Sequence, residues 1–234
     1  MKPISHKNYG SIPHLTGSRI GQTDRYVPEG QNKIATEKTR DNFDTVIITE
    51  KIDGCNCGIF RDKDTIYPIT RKGNLACQSP FPQHQLFYKW AIERYNKFIE
   101  LLRPGERLIG EWLALVHGTK ITILSNEEVF RAFDLMQGHK RLSYYNFTDR
   151  VAGKFQTVPL ISYGPPRKPE WILDNFPVSG CGSEQVEGWV WRVERYDKFD
   201  FIAKWVRPDY EPGKYLPERT SKEPVWNWRP SYVK

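Results

Sequence analysis

Apolar positions recur along this chain at two spacings, and the change from one to the other marks out its elements. Over 44–60 (DTVIITEKIDGCNCGIF) a β-branched run, Val46, Ile47 and Ile48, leads to the turn signal Asp53-Gly54, and the strand pattern resumes from Cys55 to Phe60. A third strand is predicted over 64–70, with Pro68 placing it at an edge or a bulge. The spacing then shifts to three and four. Phe87, Ala91, Phe98 and Leu102 share one face, flanked by Trp90 and Ile99, so a helix is predicted over about 83–102 and ended by Pro104-Gly105. Strands are predicted over about 106–115, 120–124 and 129–136, then a helix or loop pair over about 141–154, then strands over 186–194 and 199–207. Residues 1–43 are polar and broken by Gly and Pro, which predicts loops with short strands. Residues 165–183 are rich in Pro, Gly and Ser. Beyond Pro208 no periodicity is visible. The pattern is α+β, mostly antiparallel sheet with a few helices.

Composition changes this picture only at its edges. The chain has 234 residues and a formal net charge of +7, which fits a polyanionic partner without requiring one. Hydrophobic residues are only 38%, but Trp, Tyr and Phe at 14% supply enough buried surface to exclude wholesale disorder. No apolar run is long enough for a transmembrane helix, and the opening MKPISHKNYG lacks the apolar stretch of a signal peptide, so a cytoplasmic protein is expected. The four cysteines, Cys55, Cys57, Cys77 and Cys181, form no CxxC pair and have no His at zinc-ligand spacing. They read as reduced, small apolar residues, with Cys55 and Cys57 on one strand face. The five histidines are scattered; His14 and His117 are the two able to approach a site, although polar surface or loop positions are the favoured reading for them.

Candidate chemistry begins at Lys51. A lysine at the end of a β-branched strand, just before a turn, either lies on a solvated face or projects into a cleft at the sheet end. Several short strand-like segments follow it with a charged residue in an apolar setting. They are Thr70-Arg71-Lys72-Gly73, Gly110-Glu111-Trp112, Phe133-Asp134, Glu187-Gly188-Trp189-Val190, and Ala203-Lys204-Trp205-Val206-Arg207.

In this order, over about 46–207, the segments resemble the covalent nucleotidyltransferase superfamily of ATP-dependent RNA ligases, DNA ligases and mRNA capping enzymes. The nucleotidyl-lysine motif of that superfamily reads KxDG, here Lys51-Ile52-Asp53-Gly54. Within it the chain is most similar to the nick-sealing RNA ligases and their bacterial relatives. Asn56 follows the Lys51 motif where those ligases carry Asn, Cys55 stands where capping enzymes and most DNA ligases prefer Arg, and Arg71 falls at the RNA ligase spacing. The opening Ile12-Pro13-His14-Leu15-x-Gly17-Ser18-Arg19 also resembles a bacterial RNA-ligase-type leader. One departure is plain: the fifth motif usually has two lysines as KxK, and here only Lys204 is present.

The resemblance implies a nucleotidyltransferase (ATP-grasp-like) ligase domain over 1–207, mostly antiparallel sheets flanked by helices, with a Pro-rich tail over 208–234 too short for an OB domain. It implies that Lys51 is the catalytic nucleophile and accepts AMP from ATP. Glu50, Ile52, Arg71, Glu111, Phe133 and Lys204 would bind ATP, with Glu111 on the ribose and Phe133 stacked on adenine. Asp53 would shape the turn. Glu187 would face the lysine and a Mg²⁺ or Mn²⁺ ion, which prefers oxygen ligands. Asn56 and Arg207 would serve the RNA step, with Arg71, Lys204 and Arg207 as the cations available to depress the Lys51 pKa and offset phosphate charge. The implied partner is RNA with nicked or broken ends, with an end-healing kinase or phosphatase as a possible companion and no membrane. A minimal DNA ligase, a GTP-using capping enzyme and a nucleotide- or RNA-binding module without ligation are the alternatives.

Overall fold

The computed structural model describes residues 2–230. In chain order the elements are α1 (Glu29–Thr36), β1 (Asp44–Lys51), β2 (Cys55–Asp62), β3 (Thr65–Thr70), α2 (Pro82–Glu93), α3 (Tyr95–Leu101), β4 (Glu106–Trp112), β5 (Phe130–Gln137), β6 (Lys140–Arg141), α4 (Tyr144–Val151), β7 (Leu160–Gly164), α5 (Pro169–Asn175), β8 (Gly188–Arg195), β9 (Lys198–Val206) and a short α6 (Pro217–Thr220). They build two antiparallel sheets, β7-β1-β8-β9 and β3-β2-β4-β5-β6, so the α+β expectation of mostly antiparallel sheets flanked by helices holds. None of the described helices is long and apolar enough to cross a membrane.

The two sheets face each other across a cleft, and strand alternation decides what each face carries. On β1, Val46 and Ile48 turn outward into a core with Trp189, Trp191, Phe201 and Trp205, covered by Ala35 of α1 and Ile172 of α5. Thr49 and Lys51, with Val190 and Lys204, turn inward to the cleft. The back of the second sheet packs Cys57, Ile59, Trp112 and Phe130 against Phe87 and Trp90 of α2 and Phe98 of α3. Asp134 on β5 ties the sheets together: fully buried, it accepts hydrogen bonds from Arg141, from the Tyr9 hydroxyl (3.3 Å) and, across the gap, from Arg192 of β8 (3.3 Å).

Several predicted elements change in the folded chain. The single helix over 83–102 becomes two, because the ladder tightens at Arg94, whose N–H returns to Ala91 three residues back. The Arg94 guanidinium is held there by Glu127 (3.0 Å) and lies over the Trp90 ring (4.6 Å). Pro82 starts α2, where a missing N–H costs nothing. No strand forms over 120–124: the Ile121 N–H goes to the Asn227 side chain and the Thr122 N–H to the Cys181 carbonyl instead of a ladder. The N-terminal loops contain α1, and the Pro-rich 165–183 stretch contains α5, which Pro169 initiates. β7 escapes the periodicity because it is an edge strand with half-exposed residues.

The chain after Pro208 lies on the body of the protein. Val116 donates to the Val225 carbonyl (2.9 Å), Asn227 to that of Ala114 (2.8 Å), and Trp228 meets Trp112 edge-on at 5.9 Å. Tyr210 is buried. Residues 231–234 of the expected tail lie outside the described residues.

Candidate active site

A cleft of about 730 Å³ opens between the two sheets. Lys51 reaches it because it is the last residue of β1, paired with Gly188, the first of β8. Gly188 allows that pairing: a Cβ there would collide with the Trp205 backbone on β9. The residue before it, Glu187, is thereby placed beside the lysine, and Lys51 Nζ donates to Glu187 Oε2 at 2.7 Å. Val190 bridges Thr49 on one side and Lys204 on the other, so Lys204 points into the same cleft two strands from β1. The second sheet contributes Asn56 and Glu111, which are register partners on β2 and β4, and Phe133 on β5. Gly110 precedes Glu111 at a bulge, where a Cβ would meet Phe130 and the Arg131 carbonyl. Arg71 sits just past β3 at the cleft wall, with its guanidinium 3.5 Å from Ser11 Oγ.

The electrostatics of the cleft follow from burial and from charges crowded together. Burial works to lower the Lys51 pKa, but Glu187, Glu111 and Asp53 outweigh it and hold the ammonium above the ordinary lysine range. Burial pushes the Glu187 carboxyl up to about 7, against the pull of Lys51. Burial also carries Glu111 well above the usual carboxylate range. Lys204 is pushed below the ordinary lysine range by burial and by the charges of Lys51 and Arg71, with Asp24 and Glu187 opposing. Three cations therefore crowd one cleft. The carboxylates, not the cations, govern Lys51 in this state, which reverses the field expected from Arg71, Lys204 and Arg207.

Glu50, Ile52, Asp53 and Arg207 do other work. Glu50 borders the cleft but turns its buried carboxylate to Ser179 Oγ (2.5 Å) and the Gly180 N–H (2.8 Å), from which it accepts hydrogen bonds. Ile52 also borders the cleft but packs with Leu113, Ile121 and Val158. Asp53 accepts from the N–H groups of Gly118 and Thr119 (2.9 Å for the second) and so anchors the loop carrying His117 to the cleft. Arg207 is not brought to the cleft. Its buried guanidinium donates to the Val186 carbonyl, to Gln185 (2.9 Å) and to Asp209 (2.7 Å), while its N–H donates to the Glu187 carbonyl (3.0 Å). It braces the segment that presents Glu187.

The leader earns its position next to β9. Lys204 exchanges main-chain hydrogen bonds with Pro13 (2.9 Å) and Leu15 (2.8 Å), and Ser18 Oγ accepts from the Val206 N–H (2.9 Å). His14 lies 3.2 Å from Asp24, with its pKa lowered to about 4 by burial and by Lys204. Two groups escaped the sequence reading. Asp134 with Arg141 and Arg192 carried no signal beyond the Phe-Asp dipeptide. Cys55, Cys57 and His84 come together although His84 has no ligand-like spacing in the chain; the two cysteines on one strand face were the only visible clue.

Comparison with known proteins bears on the family and the fold. The family model described as RNA ligase matches residues 44–206. No curated protein matches. Among solved structures, the chain is similar to Naegleria gruberi RNA ligase with PPi, at 22% identity and a TM-score of 0.54 over 94% of this chain and 64% of that one. A lysine-to-alanine variant of the same ligase with ATP and Mn matches at 22% identity and 0.50, over 88% and 61%, and a second such variant with ATP and Mn at 20% and 0.53, over 83% and 59%. The chain thus spans about three-fifths of the length of those structures. The family match runs from the start of β1 to the end of β9 and takes in every strand that lines the cleft, and the chain belongs to the RNA ligase family.

Proposed function

We propose that this chain is an ATP-dependent RNA ligase that joins a 5′-phosphate to a 3′-hydroxyl through a lysyl-AMP intermediate on Lys51. The observation that carries the reading is the placement of Lys51 Nζ, 2.7 Å from Glu187, in a cleft that also presents Glu111, Phe133, Arg71 and Lys204. The similar structures with ATP and Mn support the choice of donor and cation. The donor set fits a hard divalent cation, Mg²⁺ or Mn²⁺, because Glu187 and Glu111 offer carboxylate oxygens whose buried charge such an ion would relieve. Bound there, the ion would offset charge on the phosphates.

In the first step the Lys51 amine attacks the α-phosphorus. An N–P bond forms and the bond from phosphorus to the pyrophosphate oxygen breaks. The ammonium must first lose a proton, and Glu187, within hydrogen-bond reach and titrating near 7, is the acceptor. Arg71 and Lys204 offset charge on the departing pyrophosphate. Phe133 offers its ring to adenine and Glu111 accepts from ribose hydroxyls. In the second step an RNA 5′-phosphate oxygen attacks the adenylyl phosphorus, the N–P bond breaks and Lys51 recovers its proton. In the third the 3′-hydroxyl attacks the 5′-phosphate, releases AMP and gives up its proton. Asn56, at the cleft wall beside Glu111, serves these later steps, and the net positive charge makes binding of the backbone salt-sensitive. Substrates with these ends arise from phosphorylating or dephosphorylating enzymes, so an end-healing kinase or phosphatase is the companion activity, in the cytoplasm where ATP is supplied.

Incubation with ATP labelled at the α-phosphate, then denaturing electrophoresis, tests the covalent step. Equal labelling from GTP would move the chain to the capping branch. Sealing of nicked RNA, single-stranded RNA and nicked DNA by the same preparation tests the substrate, and preference for nicked DNA would replace RNA ligase with DNA ligase.

Two further outcomes follow from the geometry. Lys204→Ala slows adenylylation by about 2–4 kcal/mol, the range for a lost donor to developing charge. Arg207→Ala costs less in that step, because its guanidinium braces Val186 and Gln185 outside the cleft lining. Rapid-quench measurement of both half-reactions decides; a larger loss of adenylylation for Arg207→Ala would transfer the cation role to Arg207. The pH profile carries the second. The Glu187 pKa is raised, so the carboxylate able to take the lysine proton exists above about 7 and disappears as pH falls through it. The rate of Lys51 labelling is expected to drop on the acid side, with a limb at or below about 7 because a bound cation lowers the Glu187 pKa. An acid limb unchanged in Glu187→Gln would remove Glu187 from the proton-accepting role.

A further inference from the structure

Alternation along β2 turns Cys55 and Cys57 to the helix side of the sheet, away from Asn56. The first turn of α2 brings His84 over them. Cys55 Sγ lies 2.8 Å from His84 Nε2 and 4.0 Å from Cys57 Sγ, and the three donor atoms all lie within 4.8 Å of one another. The other ring nitrogen is already held: Ser79 Oγ lies 2.6 Å from His84 Nδ1. We propose that Cys55, Cys57 and His84 form a binding site for a zinc-type divalent cation at the mouth of the cleft, separate from the carboxylate site at Glu187.

The donor chemistry selects the ion. Two thiolates and an imidazole suit zinc and exclude Mg²⁺ or Mn²⁺ as the natural occupant. With Zn–S of about 2.3 Å and Zn–N of about 2.0–2.1 Å, tetrahedral geometry sets the donors roughly 3.5–3.8 Å apart. The sulfurs need to approach slightly and the imidazole to withdraw by less than about 1 Å, which side-chain rotation supplies. Ser79 on Nδ1 is the kind of outer partner that orients a metal-bound histidine. Cys55 and His84 both border the cleft, so an ion has an entry path.

The thiols also compete for charge. Hydrogen bonding from Cys57 holds Cys55 well below the ordinary thiol range against the effect of burial, with His84 and His117 assisting. Burial and the charge of Cys55 push Cys57 well above that range, and Glu111 adds to the effect. Binding of a dication would displace the thiol protons, which are released to solvent. Occupancy would pin the start of α2 and the Ser79 loop to β2, fixing the wall beside Asn56.

The test uses the full chain, reduced and stripped of metal, in a Cys77→Ser background that removes the exposed thiol. Competition with a chromogenic chelator is expected to show one equivalent of tightly bound Zn²⁺. Co²⁺ should give thiolate-to-cobalt charge-transfer bands with tetrahedral d–d absorption. Ser79→Ala should weaken zinc by about 10–100-fold, and Cys55→Ser, Cys57→Ser and His84→Ala each by more. A second measurement needs no ligand variant: zinc should slow alkylation of Cys55, read by mass spectrometry, and leave Cys77 in the unmodified chain unaffected. Zinc binding unchanged by Cys55→Ser, a cobalt spectrum without thiolate bands, binding lost with Cys77→Ser alone, or alkylation of Cys55 indifferent to zinc would each overturn the site.

Discussion

Lys51→Ala is expected to take up no label from α-labelled ATP, a complete loss and not a slowing, because the bond that retains AMP is to the Lys51 nitrogen itself. The fold should survive the change. Lys51 leaves behind its hydrogen-bond partner Glu187 and the nearby Glu111; burial already holds both carboxyls above the usual range with the lysine beside them, so they take up protons near neutral pH at little cost and the stability change is about 1 kcal/mol or less. Lys51→Arg separates chemistry from packing. It keeps a cation against Glu187, yet its guanidinium stays protonated and cannot attack phosphorus. Both variants should therefore melt close to the parent chain and both should remain unlabelled. A labelled Lys51→Ala protein, with the label mapped to another lysine, would end the lysyl-AMP reading at this position.

The largest effect on stability is expected at Asp134. Its carboxylate is fully buried and is the common acceptor for Arg141, Arg192 and the Tyr9 hydroxyl. Arg192 belongs to β8 in one sheet, while Asp134 and Arg141 belong to β5 and β6 in the other. Asp134→Ala leaves two buried guanidinium groups short of a partner, although Arg192 keeps Glu194 at 2.6 Å. Removing one side of a buried ion pair costs about 3–5 kcal/mol, and for a domain of this size that lowers the melting temperature by roughly 10 °C. Asp134→Asn keeps the shape and one acceptor and should lose less. Denaturant unfolding of both variants checks the order; a loss below about 1 kcal/mol for Asp134→Ala would mean that the sheets are held by their apolar cores alone. Because the cleft lies between those sheets, the same variant should also weaken nucleotide binding.

Arg94 and Pro208 show where local pattern stops being informative. The apolar spacing that predicts one helix over 83–102 is correct about which residues are buried, since Phe87, Ala91, Phe98 and Leu102 all reach the core. It does not reveal the break, which depends on Glu127, far along the chain, holding Arg94. The chain after Pro208 shows no periodicity because, apart from the single turn of α6, it is fixed by hydrogen bonds to distant residues, Asn227 to Leu113 and Ala114, Val116 to Val225 and Tyr215 to His117.

What the sequence by itself determined is the set of strands with strong alternation, the antiparallel α+β class and the order of charged residues set in or beside successive strands: Lys51, Arg71, Glu111, Glu187, Lys204. These are local properties, carried by β-branched runs, turn dipeptides and residue identity. Only the tertiary structure decided the rest. Pairing of β1 with β8, and of β8 with β9, placed Glu187 on Lys51 and Lys204 beside them, while the neighbouring Glu50 turned its carboxylate to Ser179 and Gly180. The turn after β9 sent Arg207 under Glu187 and away from the cleft. Packing of α2 on β2 set His84 against Cys55 and Cys57. The charge of the resting lysine was settled the same way, because a buried ammonium answers to the sum of every charge around it, and that sum exists only once distant strands have paired.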